Sequence, residues 1–397
     1  GVFAGESAPL PHHQRGKCIM SQDIAISGTG IAGLAAATAV LGAERDCVIF
    51  GPTTQVMAGG VQLAPNGWTA LSVLGVAQDV MLRATRLHEI TVRSLTSEAT
   101  LARLPLTDVY ASVARADLAD VLEQRIRQTD RFRWHNTSVE EASQTGASVN
   151  IIGKDTGLHH AAGLVAADGV AGFGRSFISG QSGSAIKTSL ATDKIALRSM
   201  VRLSNLPTFF SHPASNLWLG DGVHIVHYPI GDSVNIVATL PKSLARVEWQ
   251  ARLFRHNTPL QPLNDPVIHW TATPLPRSGN TVCWRRGTIV LAGDAAHVMP
   301  PHLAQGAGQS LQDAACLMQS LAEHTDVSKA FAAYARHRSG MVAKIAQKAE
   351  MSGKIMALSG FAGKLRNAAL DLGGDHLMQN WLADVWAADP GLSRQST

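Results

Sequence analysis

The chain has 397 residues, 45% hydrophobic and 16% charged, with a net charge of +4. That length suggests two domains with sizeable cores, and the composition excludes a disordered chain. Scattered basic residues without interleaved aromatics argue against nucleic acid as a partner, and no apolar stretch reaches the roughly 18 residues of a membrane span.

Residues 1–19, rich in Pro and Gly, read as a flexible leader or an expression artefact, with a natural start at Met20. Asp23–Ser27 reads as a strand, Ile31–Leu41 as a helix and Cys47–Phe50 as a second strand, a unit that builds a parallel sheet. Gly28, Gly30 and Gly33 fall in the intervening turn. There the first glycine permits a tight turn, the second a close approach to a pyrophosphate, and the third close helix–strand packing. The alternative is a tight strand-to-helix turn in some other α/β protein. The second strand runs into Gly51, where a ribose-binding acid is expected. Losing one charged hydrogen bond would weaken a dinucleotide by about one to two orders of magnitude. Thr53, Thr54 or Gln55 could replace part of it, and Gly51→Glu is expected to tighten binding.

Pro65–Gly75 reads as a short helix, and the segment from Arg115 as an amphipathic helix with Leu118, Val121, Leu122, Arg125 and Ile126 on one stripe. Gly163–Gly169 is a buried strand ending in a turn. From about Ser184 to Leu240 the pattern becomes longer alternating strands, as in an antiparallel sheet. In one of them, period two places His224, Val226 and Tyr228 on one face and Val223, Ile225 and His227 on the other. Gly287–His297 returns to a buried parallel-type strand, followed by a helix from about Gln305 to Glu323. From Ser328 onward the sequence reads as helices broken at Gly340, Gly353, Gly360 and Gly373-Gly374.

Cys18, Cys47, Cys283 and Cys316 form no close pair, which fits a reducing cytoplasm. The sixteen histidines, His12-His13 and His159-His160 among them, show no ligand spacing and read as surface and loop residues, so no metal is expected.

Three segments together carry a resemblance: the opening glycine turn, "AADGVAGFGR" at Ala166–Arg175, and "LAGDAAHVMPPHLAQGAGQSLQDA" at Leu291–Ala314. They resemble the fingerprints of the class A flavoprotein aromatic monooxygenases, near the salicylate and 3-hydroxybenzoate hydroxylase branches, over about Asp23 to Pro390. The resemblance implies FAD as cofactor, NADH or NADPH as reductant, and O₂ forming a flavin hydroperoxide that hydroxylates a small phenolic or hydroxybenzoate-like substrate. The implied fold is α/β: a Rossmann-like FAD-binding domain (20–85, 106–183 and 280–350), an inserted, mostly antiparallel substrate domain (86–105 and 184–279) and a C-terminal helical segment (351–397). A monomer or homodimer is expected.

By the same resemblance, Gly28, Gly30, Gly33, Arg115, Asp168, Gly293, Asp294, Pro300, Gly306, Ala307 and Gly308 hold the cofactor. Asp294 would accept ribityl hydroxyls, its alternative being an ordinary helix cap. Pro300 and Pro301 would lie along the flavin face, and the helix start at Gly306 would aim N–H groups at the ring's oxygens. Arg115 matches an arginine at the cofactor's middle, or else pairs with Asp117. Arg175 is either part of the second fingerprint or a solvated arginine, and Gly172 stands where the family usually has serine. His224 and Tyr228 match a substrate-facing pair in 3-hydroxybenzoate hydroxylases, with a near-neutral imidazole assisting loss of the phenolic proton; otherwise they belong to a half-buried strand. His302 matches the salicylate branch instead, and Arg198 could pair with a substrate carboxylate. The rivals are a family member performing epoxidation or N-hydroxylation, a degenerate flavin-fold binding protein without turnover and, third, a plain NAD-linked dehydrogenase.

Overall fold

The computed structural model describes residues 22–54, 57–246, 248–280, 283–387, 389 and 392; the leader with Cys18, and Gln55, lie outside them. Short apolar segments far apart in sequence meet in one sheet of six described strands. Its order is Arg285–Arg286, Ile289–Leu291, Gly163–Ala166, Ile24–Ser27, Cys47–Phe50 and Phe132–His135, parallel throughout except for the first. The four inner strands are buried at every residue, which is why they read as continuous apolar runs. One face is covered by the helices Ile31–Gly42, Arg115–Ile126 and Gly306–Glu323. Against the other, Val48 and Phe50 pack on Val139, Val149 and Ile151 from a small antiparallel sheet.

A second sheet has seven described strands in the order Thr271–Pro274, Lys194–Arg202, Ser233–Pro241, His224–Ile230, Ala214–Leu219, Glu89–Ser94 and Thr100–Pro105. It is antiparallel except where Ala214–Leu219 runs parallel to Glu89–Ser94. One face buries Trp218, Ile225, Ile236 and Phe210 in a core of its own; the other opens on a cavity.

Two expectations need correction. Gly183–Leu190 is a helix, capped by Ser182 accepting from the Ala185 N–H, so the antiparallel strands begin at Lys194. Val327–Met356 is one helix running through Gly340 and Gly353. A glycine costs a helix about 1 kcal/mol, which burial of Phe331, Tyr334, Val342 and Ala346 outweighs. At Gly353 the absent Cβ leaves room for the His302 ring. Chain breaks do occur at Gly360 (φ +56) and as a kink at Gly373 within Gly360–Trp386. Among the described residues no helix is long and apolar enough to cross a membrane.

Candidate active site

The glycine turn has the geometry its spacing implies. Gly28 adopts φ +101, and a Cβ there would collide with the Ala167 carbonyl; a Cβ at Gly33 would collide with the Gly28 carbonyl. Beside Gly30 there is open space, and no side chain caps the helix that begins at Ile31. Its first N–H groups are therefore free for an anion.

Gly51 carries a second message. Its φ is +155, and a Cβ built on it would stand 2.6 Å from Thr29 Cγ2 and 2.8 Å from Thr29 Oγ1. The Thr29 hydroxyl donates to the Pro52 carbonyl at 2.9 Å. Thr29 thus fills the space from which an acid at position 51 would have to start.

In the second fingerprint, Asp168 Oδ2 accepts from Ser27 Oγ and from the Gly174 N–H, both at 3.1 Å, while Oδ1 is buried without a protein partner. Burial raises its carboxyl pKa against these donors. Asp168 itself serves the N-terminus of Phe173–Ser179, and a Cβ at Gly172 would collide with it, so the family's serine has no room here. Arg175 is buried, not solvated: its guanidinium donates to the carbonyls of Gly279 (2.6 Å) and Asp294 (3.4 Å), tying the second fingerprint to the third.

In the third fingerprint, Gly293 (φ +60) packs against Ala32 and donates its N–H to Asp313 at 2.9 Å. Asp294 is accessible, but from the cavity; the surrounding protein raises its pKa, with His297, Arg115 and Arg175 opposing the rise. The helix Gly306–Glu323 has no side-chain cap, because the Gln305 amide oxygen is taken by Asn66 (2.8 Å) and Gln309 (2.9 Å). Its N-terminus therefore opens on the cavity at Gly306 and Ala307. Gly308 instead permits close approach to Gly67 of the helix Pro65–Val73.

Sequence reasoning missed the support beneath that helix. Asp313 receives His297 Nε2 at 2.6 Å and Arg338 Nε at 2.9 Å, and Arg338 Nη2 also donates to Gln309 Oε1 at 2.7 Å. Burial alone would raise the Asp313 carboxyl; His297 and Arg338 bring it below its ordinary value. An acid in the middle of an alanine- and leucine-rich helix is the available signal.

On the sheet side, His224, Val226 and Tyr228 line the cavity, whereas His227 points into the opposite core beside Phe210. Tyr228 donates to the Gly60 carbonyl at 3.2 Å; burial pushes its phenol up to about 12, with Arg198 and Arg115 pulling it down. Arg198 donates to Thr273 Oγ1 at 3.4 Å, and burial lowers its pKa. His224 and His302 meet edge to face, ring centroids 5.2 Å apart. Burial, reinforced by His302, pushes His224 down to about 3, and burial, with Lys194, takes His302 to about 4. The imidazole expected to titrate near neutrality is thus held uncharged by burial. The two residues that match different hydroxylase branches form one pair.

The three fingerprints and the sheet meet at one cavity of about 1440 Å³. Gly28, Gly30, Arg115, Asp168, Asp294, Pro301, Gly306 and Ala307 line it, together with Arg198, His224, Tyr228 and His302. Gly33, Gly293, Pro300 and Gly308 do not border it, and they shape the backbone behind it. Arg115 makes no pair with Asp117, whose carboxylate faces Arg83 at 4.0 Å. Two uncapped helix N-termini, open space beside Gly30 and Gly306, and the unpaired Asp168 oxygen fit an FAD.

An FAD binding domain family matches residues 21–349. The 3-hydroxybenzoate 6-hydroxylase of Polaromonas naphthalenivorans is 26% identical over 87% of this chain and 90% of its own. The 3-amino-4-hydroxybenzoate 2-monooxygenase PtmB3 of Streptomyces platensis is 30% identical, over 73% and 77%. Among solved structures, Klebsiella pneumoniae HpxO complexed with FAD and uric acid shares the fold with a TM-score of 0.81 at 20% identity, over 93% of this chain and 97% of that one. A salicylate hydroxylase substrate complex does so at 0.74 and 20%, over 93% and 98%. With its glycine turn, its Gly293-Asp294 strand end and its open helix at Gly306 around one cavity, the chain belongs to the class A flavoprotein hydroxylases, FAD-dependent aromatic monooxygenases.

Proposed function

We propose that the protein hydroxylates a phenolic carboxylate related to hydroxybenzoate, using NADH or NADPH and O₂. The observation that carries this reading is the single cavity that joins the dinucleotide turn and the Gly306 helix to Arg198, His224 and Tyr228. FAD, when bound, supplies the redox chemistry that takes electrons from the nicotinamide and delivers one oxygen atom of O₂ to the ring.

The chain's own residues bind, orient and exclude water. Gly30 and the helix start at Ile31 would hold the pyrophosphate, Arg115 the cofactor's middle and Asp294 the ribityl hydroxyls, and the Gly306 and Ala307 N–H groups would face the ring's oxygens. Arg198 orients the substrate carboxylate. His224, neutral because it is buried, accepts a hydrogen bond from the phenolic hydroxyl and draws electron density toward the carbon to be oxygenated. Pro301 and His302 form the adjoining wall, and Tyr228, held by Gly60, fixes the far side.

The test is titration of the flavin-stripped protein with FAD, followed by NAD(P)H oxidation and product analysis with 3-hydroxybenzoate, salicylate and 3-amino-4-hydroxybenzoate. Saturable FAD binding with a hydroxylated product is expected. His224→Ala should lower coupled hydroxylation by up to about tenfold, the worth of one hydrogen bond, while FAD binding persists. Unchanged coupling in that variant would remove His224 from the chemistry and favour a non-phenolic substrate.

A further inference from the structure

The floor of the substrate chamber is polar at one end and apolar at the other. Strand registers place Arg198 beside Val237, Val237 beside Val226, Val226 beside Leu217 and Leu217 beside Val92. All five line the cavity. Neighbouring strands stand about 4.8 Å apart, so this row spans roughly 19 Å. A hydroxybenzoate, one ring and one carboxylate, covers less than half of it. The adjacent row runs Thr239, His224, Leu219 and becomes apolar two strands later, at Leu219 beside Leu217.

The opposite wall continues the pattern. Leu370 and Met378 of the C-terminal helix face this end of the sheet. Leu365 and Leu377 border the same cavity with 62% and 54% of their surface uncovered by protein. Large apolar side chains left open beside a catalytic chamber mark a ligand's place. Charge is withheld there: Arg366 borders this end, but its Nη1 donates to the carbonyls of Ile355 (3.2 Å), Met356 (2.8 Å) and Leu358 (3.2 Å), closing the preceding helix.

We infer that the substrate carries an apolar arm, an alkyl chain or a second ring, seated along Val226 and Leu217 beside the part-open Leu370 and Met378. This rests on the hydroxylase reading, which places the ring at His224 and its carboxylate at Arg198. The arm then leads toward the chamber's mouth and supplies binding energy remote from the reacting carbon.

The FAD-loaded full chain is titrated with 3-hydroxybenzoate and with hydroxybenzoates bearing a butyl or phenyl group at each free ring position. Dissociation constants are read from the flavin absorbance, and products by mass. At least one arm-bearing acid should bind roughly tenfold tighter or better than the bare acid. Leu217→Asn should shrink that ratio toward one, and Met378→Asn supplies the same reading if the first variant fails to fold. Bare acid binding as tightly as every arm-bearing acid would overturn the inference and leave the hydroxylase reading standing. Tighter binding of an arm-bearing acid, with no oxygen gained by any compound, would uphold the arm and overturn the hydroxylase reading.

Discussion

At position 51 a glutamate would have to displace the Thr29 methyl and adopt a φ that L-residues rarely take. Substituting the family's acid there therefore does not restore a ribose contact by itself. Gly51→Glu is expected to bind FAD no more tightly than the parent and to lose about 1–3 kcal/mol of stability to overpacking. Adding Thr29→Ala should recover most of that stability and tighten FAD relative to the single variant. Flavin fluorescence titrations beside thermal melts separate the two effects. A single variant that binds FAD more tightly than the parent would show that Thr29 yields easily.

At the scale of elements, the helix Gly306–Glu323 is held by its apolar stripe and tied through Asp313 to His297 and Arg338. Arg338 and Asp313 are both almost completely buried, and the helix Val327–Met356 brings the guanidinium to the carboxylate. Removing one partner of such a pair leaves a buried charge uncompensated. Arg338→Met is expected to cost about 3–5 kcal/mol in denaturant unfolding and to weaken FAD binding through the helix start; a loss below about 1 kcal/mol would mean that His297 and the Gly293 N–H satisfy Asp313 by themselves. This network also marks where sequence reading stopped. Cys47–Phe50, the Gly28 turn and the His224/Tyr228 face were legible because local periods and special backbone geometry fix them. The Asp313–Arg338 pair, the His224–His302 contact and the Thr29–Gly51 exclusion join residues on different elements, and only the assembled chain shows them. Gly340 misled for a related reason: an intrinsic helix penalty says nothing of the packing that overrides it.

For the whole molecule, three histidines are held neutral in the interior. His224 and His227 are pushed down to about 3 and His302 to about 4, in each case chiefly by burial. Their unfolded value is 6.5. The unfolded chain then binds protons that the folded one refuses, so stability is full above the unfolded pKa and is lost as pH falls below it. His227 alone, ringed by Phe209, Phe210 and Trp218 with neither nitrogen paired, should cost on the order of 2 kcal/mol between about pH 7 and about pH 5. Melting temperatures across that interval should fall more steeply for the parent than for His227→Phe; parallel profiles would place the acid sensitivity elsewhere.

The central sheet has a further consequence for the chain as it is made. Gly163–Ala166 lies between Ile24–Ser27, near the start, and Ile289–Leu291, more than a hundred residues later. Until that late strand leaves the ribosome, the nascent sheet presents an unpaired, wholly apolar edge, and Asp294 with the Gly306 helix does not yet exist. Loop closures of this length are slow and leave sticky intermediates exposed. Flavin capture therefore waits for the segment from Ile289 onward, and a chain interrupted before Ile289 holds all seven described strands of the second sheet but not the Asp294 and Gly306 side of the cavity.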